Sequence, residues 1–171
     1  MEEKVSTARI ALKYGLLASV VIMIYTVIIN VTGFSQNQLL TSLSTVFVIV
    51  AIVLGMKDFR EQNKGYMSYG EGLGVGTLLT AVVGLLSSAF TLFYMQFIDP
   101  TLITQGLDKM RSDLEKRGLD DAQIDQTMEV SQRFMSPGIV FVSGVLLYVF
   151  MGLIISLIVA AIMRREKPVF E

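Results

Sequence analysis

Four uninterrupted apolar stretches, at about 11–31, 39–56, 70–98 and 139–163, constrain this chain more than any other feature. At about 1.5 Å rise per residue, roughly 20 residues in a helix match a hydrocarbon layer about 30 Å thick. Backbone polar groups in lipid must be satisfied within their own segment, which selects helix over isolated strand. That rule decides the second stretch, whose Val46, Val48, Ile49, Val50, Ile52 and Val53 would suggest a strand in water. The expected fold is all-α: a polytopic membrane protein with four transmembrane helices, its 171 residues forming one membrane domain, 1–171.

The connections differ in character. Met1-Glu2-Glu3-Lys4 is mixed in charge, and no small-x-small cleavage site follows the long first stretch, so that stretch is expected to be retained as a helix. Thr32 to Gln38, with Gly33, Gln36 and Asn37, reads as a short turn. Residues 57–69 read as a hydrophilic loop. Ser68-Tyr69-Gly70-Glu71 has the spacing of a capping box opening the third helix, in which hydroxyl and carboxylate each satisfy an orphan backbone donor. Asp99-Pro100 reads as a cap followed by a proline in a first helical turn.

A helical hairpin is expected over 99–137. Ile103, Leu107, Met110 and Leu114 recur at helical spacing on one arm, and Ile124, Met128, Ser131 and Met135 on the other. Lys116-Arg117-Gly118 ends the first arm, and Asp120-Asp121-Ala122-Gln123 opens the second. Pro137-Gly138 breaks the pattern before the fourth span, and Pro168 to Glu171 is expected to be a disordered tail.

Charge sets the expected orientation. Lys4, Arg9, Lys13, Lys57, Arg60, Lys64, Arg164, Arg165 and Lys167 all fall on one side, whereas the hairpin carries five basic residues against eight acidic ones. By the positive-inside rule the termini and the 57–69 loop are cytoplasmic and the hairpin is extracytoplasmic.

The chain has no His and no Cys, which removes imidazole bases, thiol nucleophiles and the usual soft-metal ligands. A net charge of −1 does not suit nucleic acid. The run Gly70 to Thr77 has glycines but no strand-turn-helix context and no following Lys-Ser/Thr, so no phosphate loop is assigned. Its spacing has another use. Gly72, Gly76, Thr80, Gly84 and Ser88 recur every four residues as a small-residue ridge that lets another helix approach closely. The fourth span carries a comparable stripe, Gly144, Gly152, Ser156 and Ala160, interrupted by Tyr148, and the first carries Ala11, Gly15 and Ser19.

Glu71 is the carboxylate nearest a span, and capping explains it without coupling chemistry. No Asp, Glu, Lys or Arg falls mid-span, so an ion path lacks its usual marker. Asp121, Asp125 and Glu129 share a helix face but lack a calcium-loop pattern and read as a solvated face. Methionines such as Met95 and Met128 read as adaptable packing.

Several stretches then carry a resemblance. They are Tyr14-Gly15-Leu16, Gly65 to Glu71, Phe97-Ile98-Asp99-Pro100, Gly118-Leu119, Met135-Ser136-Pro137-Gly138 and Gly152 to Ala161, in that order. Together they resemble a bacterial family of small membrane proteins, common in Bacteroidetes, catalogued as domain of unknown function 4199, over nearly the whole chain. The resemblance implies a bacterial inner-membrane protein and assigns no activity to any residue.

The functional expectation is a non-enzymatic membrane protein without cofactor or metal. It would act through helix packing in the lipid bilayer, as a homo-oligomer or as an accessory subunit of a membrane complex. The alternative is a small transporter or channel whose path is lined by Thr41, Ser44, Thr45, Ser87, Ser88 and Thr91 on oligomerisation.

Overall fold

A computed structural model describes residues 5–35 and 37–166. Lys4, Gln36, Lys167 and the tail Pro168 to Glu171 lie outside the described residues. Six α-helices follow one another: α1 Thr7–Val31, α2 Gln38–Gln62, α3 Tyr69–Phe93, α4 Thr101–Lys116, α5 Asp121–Phe134 and α6 Pro137–Met163. A π-helical turn, Tyr94–Ile98, extends α3. Four helices, Thr7–Val31, Gln38–Gln62, Tyr69–Ile98 and Pro137–Met163, are long and apolar enough to cross a membrane. The chain is all-α among the described residues. Its extended pairing there is a single bridge, Met67 with Arg165.

Local chemistry explains most helix ends. Ser6 caps α1 by accepting from the Arg9 N–H at 3.3 Å, so the helix starts a turn before the apolar stretch. Asn37 caps α2 by accepting from the N–H groups of Leu39 and Leu40 at 3.0 and 3.3 Å. The clearest departure from the sequence reading lies at the other end of α2. The helix continues through Lys57–Gln62, leaving a connection much shorter than 57–69. Met56 and Phe59 are fully buried there, extending the stripe of Val48 and Ile52, so an apolar anchor holds the charged turn in helix. Pro137 opens α6 instead of preceding it: the Val140 N–H reaches the Ser136 carbonyl at 2.9 Å, leaving proline at the first helical position.

The chain divides into two compact units, one comprising the chain up to Ser87 and from Val145 onward, the other Ser88–Gly144. In the first unit Ile10, Ile22, Ile52, Met56, Phe59, Val75, Leu79 and Val83 form the buried core. A Cβ on Gly15 would lie 2.8 Å from Val82 Cβ and 3.0 Å from the Leu79 carbonyl oxygen, so α1 and α3 meet backbone to side chain. Leu12, Leu16, Val20, Ile24, Leu146, Leu147, Phe150 and Ile158 remain exposed. In a lipid solvent such faces incur no hydrophobic penalty, because hydrocarbon is as apolar as leucine.

In the second unit α4 and α5 pack around Ile124, which is 1% exposed. Gly118, at φ +78°, makes the reversal between them. The Leu119 N–H returns to the Leu114 carbonyl at 3.4 Å and the Gly118 N–H to the Glu115 carbonyl at 2.9 Å. The left-handed glycine and the backward reach of Leu119 make this a Schellman-type stop. Arg111 pairs with Asp125 across the two helices at 3.5 Å.

Candidate functional site: a small-residue seam between α3 and α6

The start of α3 fixes the register of everything along it. The Ser68 N–H and O–H both donate to Glu71 Oε2, at 2.8 and 2.9 Å, and the Glu71 N–H donates to Ser68 Oγ at 3.3 Å. From this box the small residues step along one face of α3 toward α6. In the first unit a Cβ on Gly72 would lie 3.0 Å from Ala160 Cβ. A Cβ on Gly76 would overlap the Ser156 side chain. Thr80 fills the space that a side chain on Gly152 would need, and a Cβ on Gly84 would lie 3.0 Å from Tyr148 Cβ. In the second unit a Cβ on Gly144 would lie 2.5 Å from Ser88 Oγ. A glycine on one helix thus faces a side chain on the other at each of these levels, and the helices approach to glycine distance.

The hydroxyls along the seam divide into two kinds. Thr80 Oγ1 donates within its own helix, 3.1 Å from the carbonyls of both Gly76 and Thr77; away from the seam, on α1, Ser19 Oγ does the same to the Gly15 carbonyl at 2.7 Å. Ser88, Ser156 and Thr77 have buried hydroxyl oxygens with no hydrogen-bond partner. Serine on a helix can turn back to its i−4 carbonyl, so an orphan here has a local remedy within one rotamer change.

The other residues singled out from sequence are dispersed. Thr41 and Ser44 line a polar recess of about 200 Å³ with Tyr25, Thr26, Ile29, Asn30 and Ser35. Thr45 Oγ1 lies 4.0 Å from Met151 Sδ, Ser87 is buried in the first unit, and Thr91 is half-buried in the second. Asp99 stands one place earlier than its expected capping position: α4 begins at Thr101, with Pro100 at the cap position. Asp99 Oδ1 still accepts from the Thr101 N–H at 3.1 Å. In the acidic face Asp125 pairs with Arg111, and Glu129 with Arg133 at 2.7 Å. No three His, Cys, Asp or Glu residues among those described are grouped to hold a metal ion.

Three polar contacts were not anticipated. Lys13 Nζ reaches Asp58 Oδ2 at 2.8 Å, tying α1 to the charged end of α2. Arg60 donates to the Met163 carbonyl at 3.4 Å, satisfying an orphan acceptor at the end of α6. Met67 and Arg165 exchange two backbone hydrogen bonds of 2.8 Å each. Near them Val5, Asn63, Tyr66, Ser68, Glu71, Arg165 and Glu166 line a cleft of about 310 Å³. The cations of residues 57–69 and 164–165 were legible as charge; their partners depend on helix register and end geometry.

Among families of known proteins, the model of one described as "Protein of unknown function (DUF4199)" matches residues 13–165. No curated protein matches the chain, and no solved structure does.

Proposed function

The chain belongs to that family, and from this premise we propose that it is a non-enzymatic membrane protein acting through helix packing, as a homo-oligomer or an accessory subunit of a membrane complex. Its setting in this reading is a bacterial inner membrane, with both termini on the cytoplasmic side and the α4–α5 hairpin outside. The seam carries the reading. Its interior groups serve close approach: among the described residues the buried polar side chains are Ser19, Thr80, Ser87, Ser88 and Ser156, all hydroxyls. Proton and ion carriers in lipid characteristically use buried carboxylates, histidines or cations. The bilayer and another membrane protein, or a second copy, are the partners such a surface suits; nucleic acid is not.

The α6 face, where Leu146, Leu147, Phe150, Ile154 and Ile158 present large side chains outward, suits the bilayer and a partner helix alike. Crosslinking the full chain in native-like detergent, followed by mass spectrometry, tests the proposal. Self-crosslinks or a stoichiometric membrane partner are expected. A chain that stays monomeric and carries solute across reconstituted liposomes would overturn it. That outcome would favour a transporter or channel, for which the hydroxyl-lined recess at Thr41 and Ser44 is the best starting point.

A further inference from the structure

One groove on the first unit combines an apolar trough with a charged mouth. Tyr14, Leu17, Ala18 and Val21 of α1 face Phe47, Val50, Ala51 and Leu54 of α2 around a volume of about 190 Å³. Both sets follow the i, i+3, i+4, i+7 pattern of a single helix face. Ala18 and Ala51, both buried, form the floor, while Leu17, Val21, Val50 and Leu54 stand up as exposed walls. Phe47, packed edge-on against Tyr25 at 5.1 Å, lies at one end. From Tyr14 to Val21 the trough is roughly 10 Å long at 1.5 Å per residue.

The other end is polar. Lys13 lies one helical turn before Leu17, and Asp58 one turn after Leu54, so both continue the groove's own faces beyond its apolar length. Lys13 Nζ sits 2.8 Å from Asp58 Oδ2 and 4.9 Å from the centre of the Tyr14 ring. The two groups are not equally available. Asp58 has its other oxygen, Oδ1, engaged by Gln62 Nε2 at 2.8 Å, and its side chain is only 17% exposed against 56% for Lys13. An ammonium has three donors, so Lys13 can hold Asp58 and still offer a proton to an acceptor outside the protein.

We propose that this groove binds one glycerophospholipid, with its phosphodiester on Lys13 and one acyl chain lying over Ala18 and Ala51. The trough is lined by apolar side chains along its whole length, which suits a hydrocarbon chain. Both walls belong to helices of membrane-spanning length, so the medium outside them is acyl chain. The cation at the mouth stands at headgroup depth, where lysine extends its charge toward the polar layer. The site is independent of the oligomer reading, since it uses only α1 and α2.

The test is native mass spectrometry of the delipidated full chain titrated with phosphatidylglycerol. Wild type should show one saturable lipid adduct. Lys13→Met should weaken it about tenfold, and Ala51→Leu, which raises the floor, should remove it while the far-ultraviolet circular dichroism stays helical. Soluble glycerol phosphate at the same concentrations should not compete, because it lacks the chain that fills the trough. An adduct undiminished in both variants would overturn the proposal, as would displacement by glycerol phosphate. Conversion of a wild-type dimer to monomer by Ala51→Leu without loss of lipid would assign the groove to a second copy instead. Should Ala51→Leu fail to assemble, the Lys13→Met affinity decides alone.

Discussion

At the scale of single residues, neighbouring glycines of one helix have opposite roles. A Cβ on Gly76 would strike the Ser156 side chain and lie 3.2 Å from Met56 Cε, whereas a Cβ on Gly74 would meet nothing within 4 Å. Gly76→Ala should therefore lower the melting temperature in detergent, with an overpacking cost of about 1–3 kcal/mol. Gly74→Ala should be neutral or stabilising, by up to about 1 kcal/mol, because alanine loses less backbone entropy in a helix. Equal effects of the two substitutions would remove the seam from the account. Glu71 allows a similar separation of roles. Glutamine retains the acceptor that takes the Ser68 N–H, so Glu71→Gln should melt close to wild type, while Ser68→Ala should cost about 1 kcal/mol. Spacing alone placed Gly72, Gly76, Thr80, Gly84 and Ser88 on one face. It did not say which helix they meet, because a stripe of small residues carries no identity for its partner.

At the scale of elements, apolar length and capping chemistry made the helices legible, and register effects hid the rest. The end of α2 shows why. Lys57-Asp58-Phe59-Arg60-Glu61 is hydrophilic on average and reads as a loop, yet Met56 and Phe59 extend the buried stripe of Val48 and Ile52. Periodicity persists there beneath the composition. The ion pair of Lys13 with Asp58 depends on how α1 and α2 are paired in antiparallel register, which no local pattern states. A double-mutant cycle on this pair, read by melting in detergent, should give a small favourable coupling that shrinks with added salt, as expected for an exposed ion pair. Zero coupling would mean that the pair does not help to hold the α1–α2 hairpin. The π-helical turn Tyr94–Ile98 had no sequence signal, since its residues are ordinary helix formers or aromatics. Gly118 did have one: as a glycine following two cations it marked a helix stop, and its φ of +78° makes it the residue least replaceable there. Gly118→Ala should speed amide exchange in the last turn of α4, because a Cβ in that conformation costs about 1–2 kcal/mol.

At the scale of the molecule, the chain combines four helices of membrane-crossing length with an amphipathic pair between the third and fourth. The order of these elements follows from length and hydropathy. Their proposed direction across the bilayer rests on charge alone: residues 57–64 and 164–165 are basic, whereas α4 and α5 are acidic. Both the packing role and the placement of the lipid mouth at Lys13 presuppose that these helices cross the bilayer. The absence of cysteine makes it directly measurable. Single cysteines at Lys64 and at Ser112, probed in intact cells with a membrane-impermeant thiol reagent, test it. Labelling should be rapid at position 112 and absent at position 64 until the membrane is breached; equal labelling of both from outside would be incompatible with four spans.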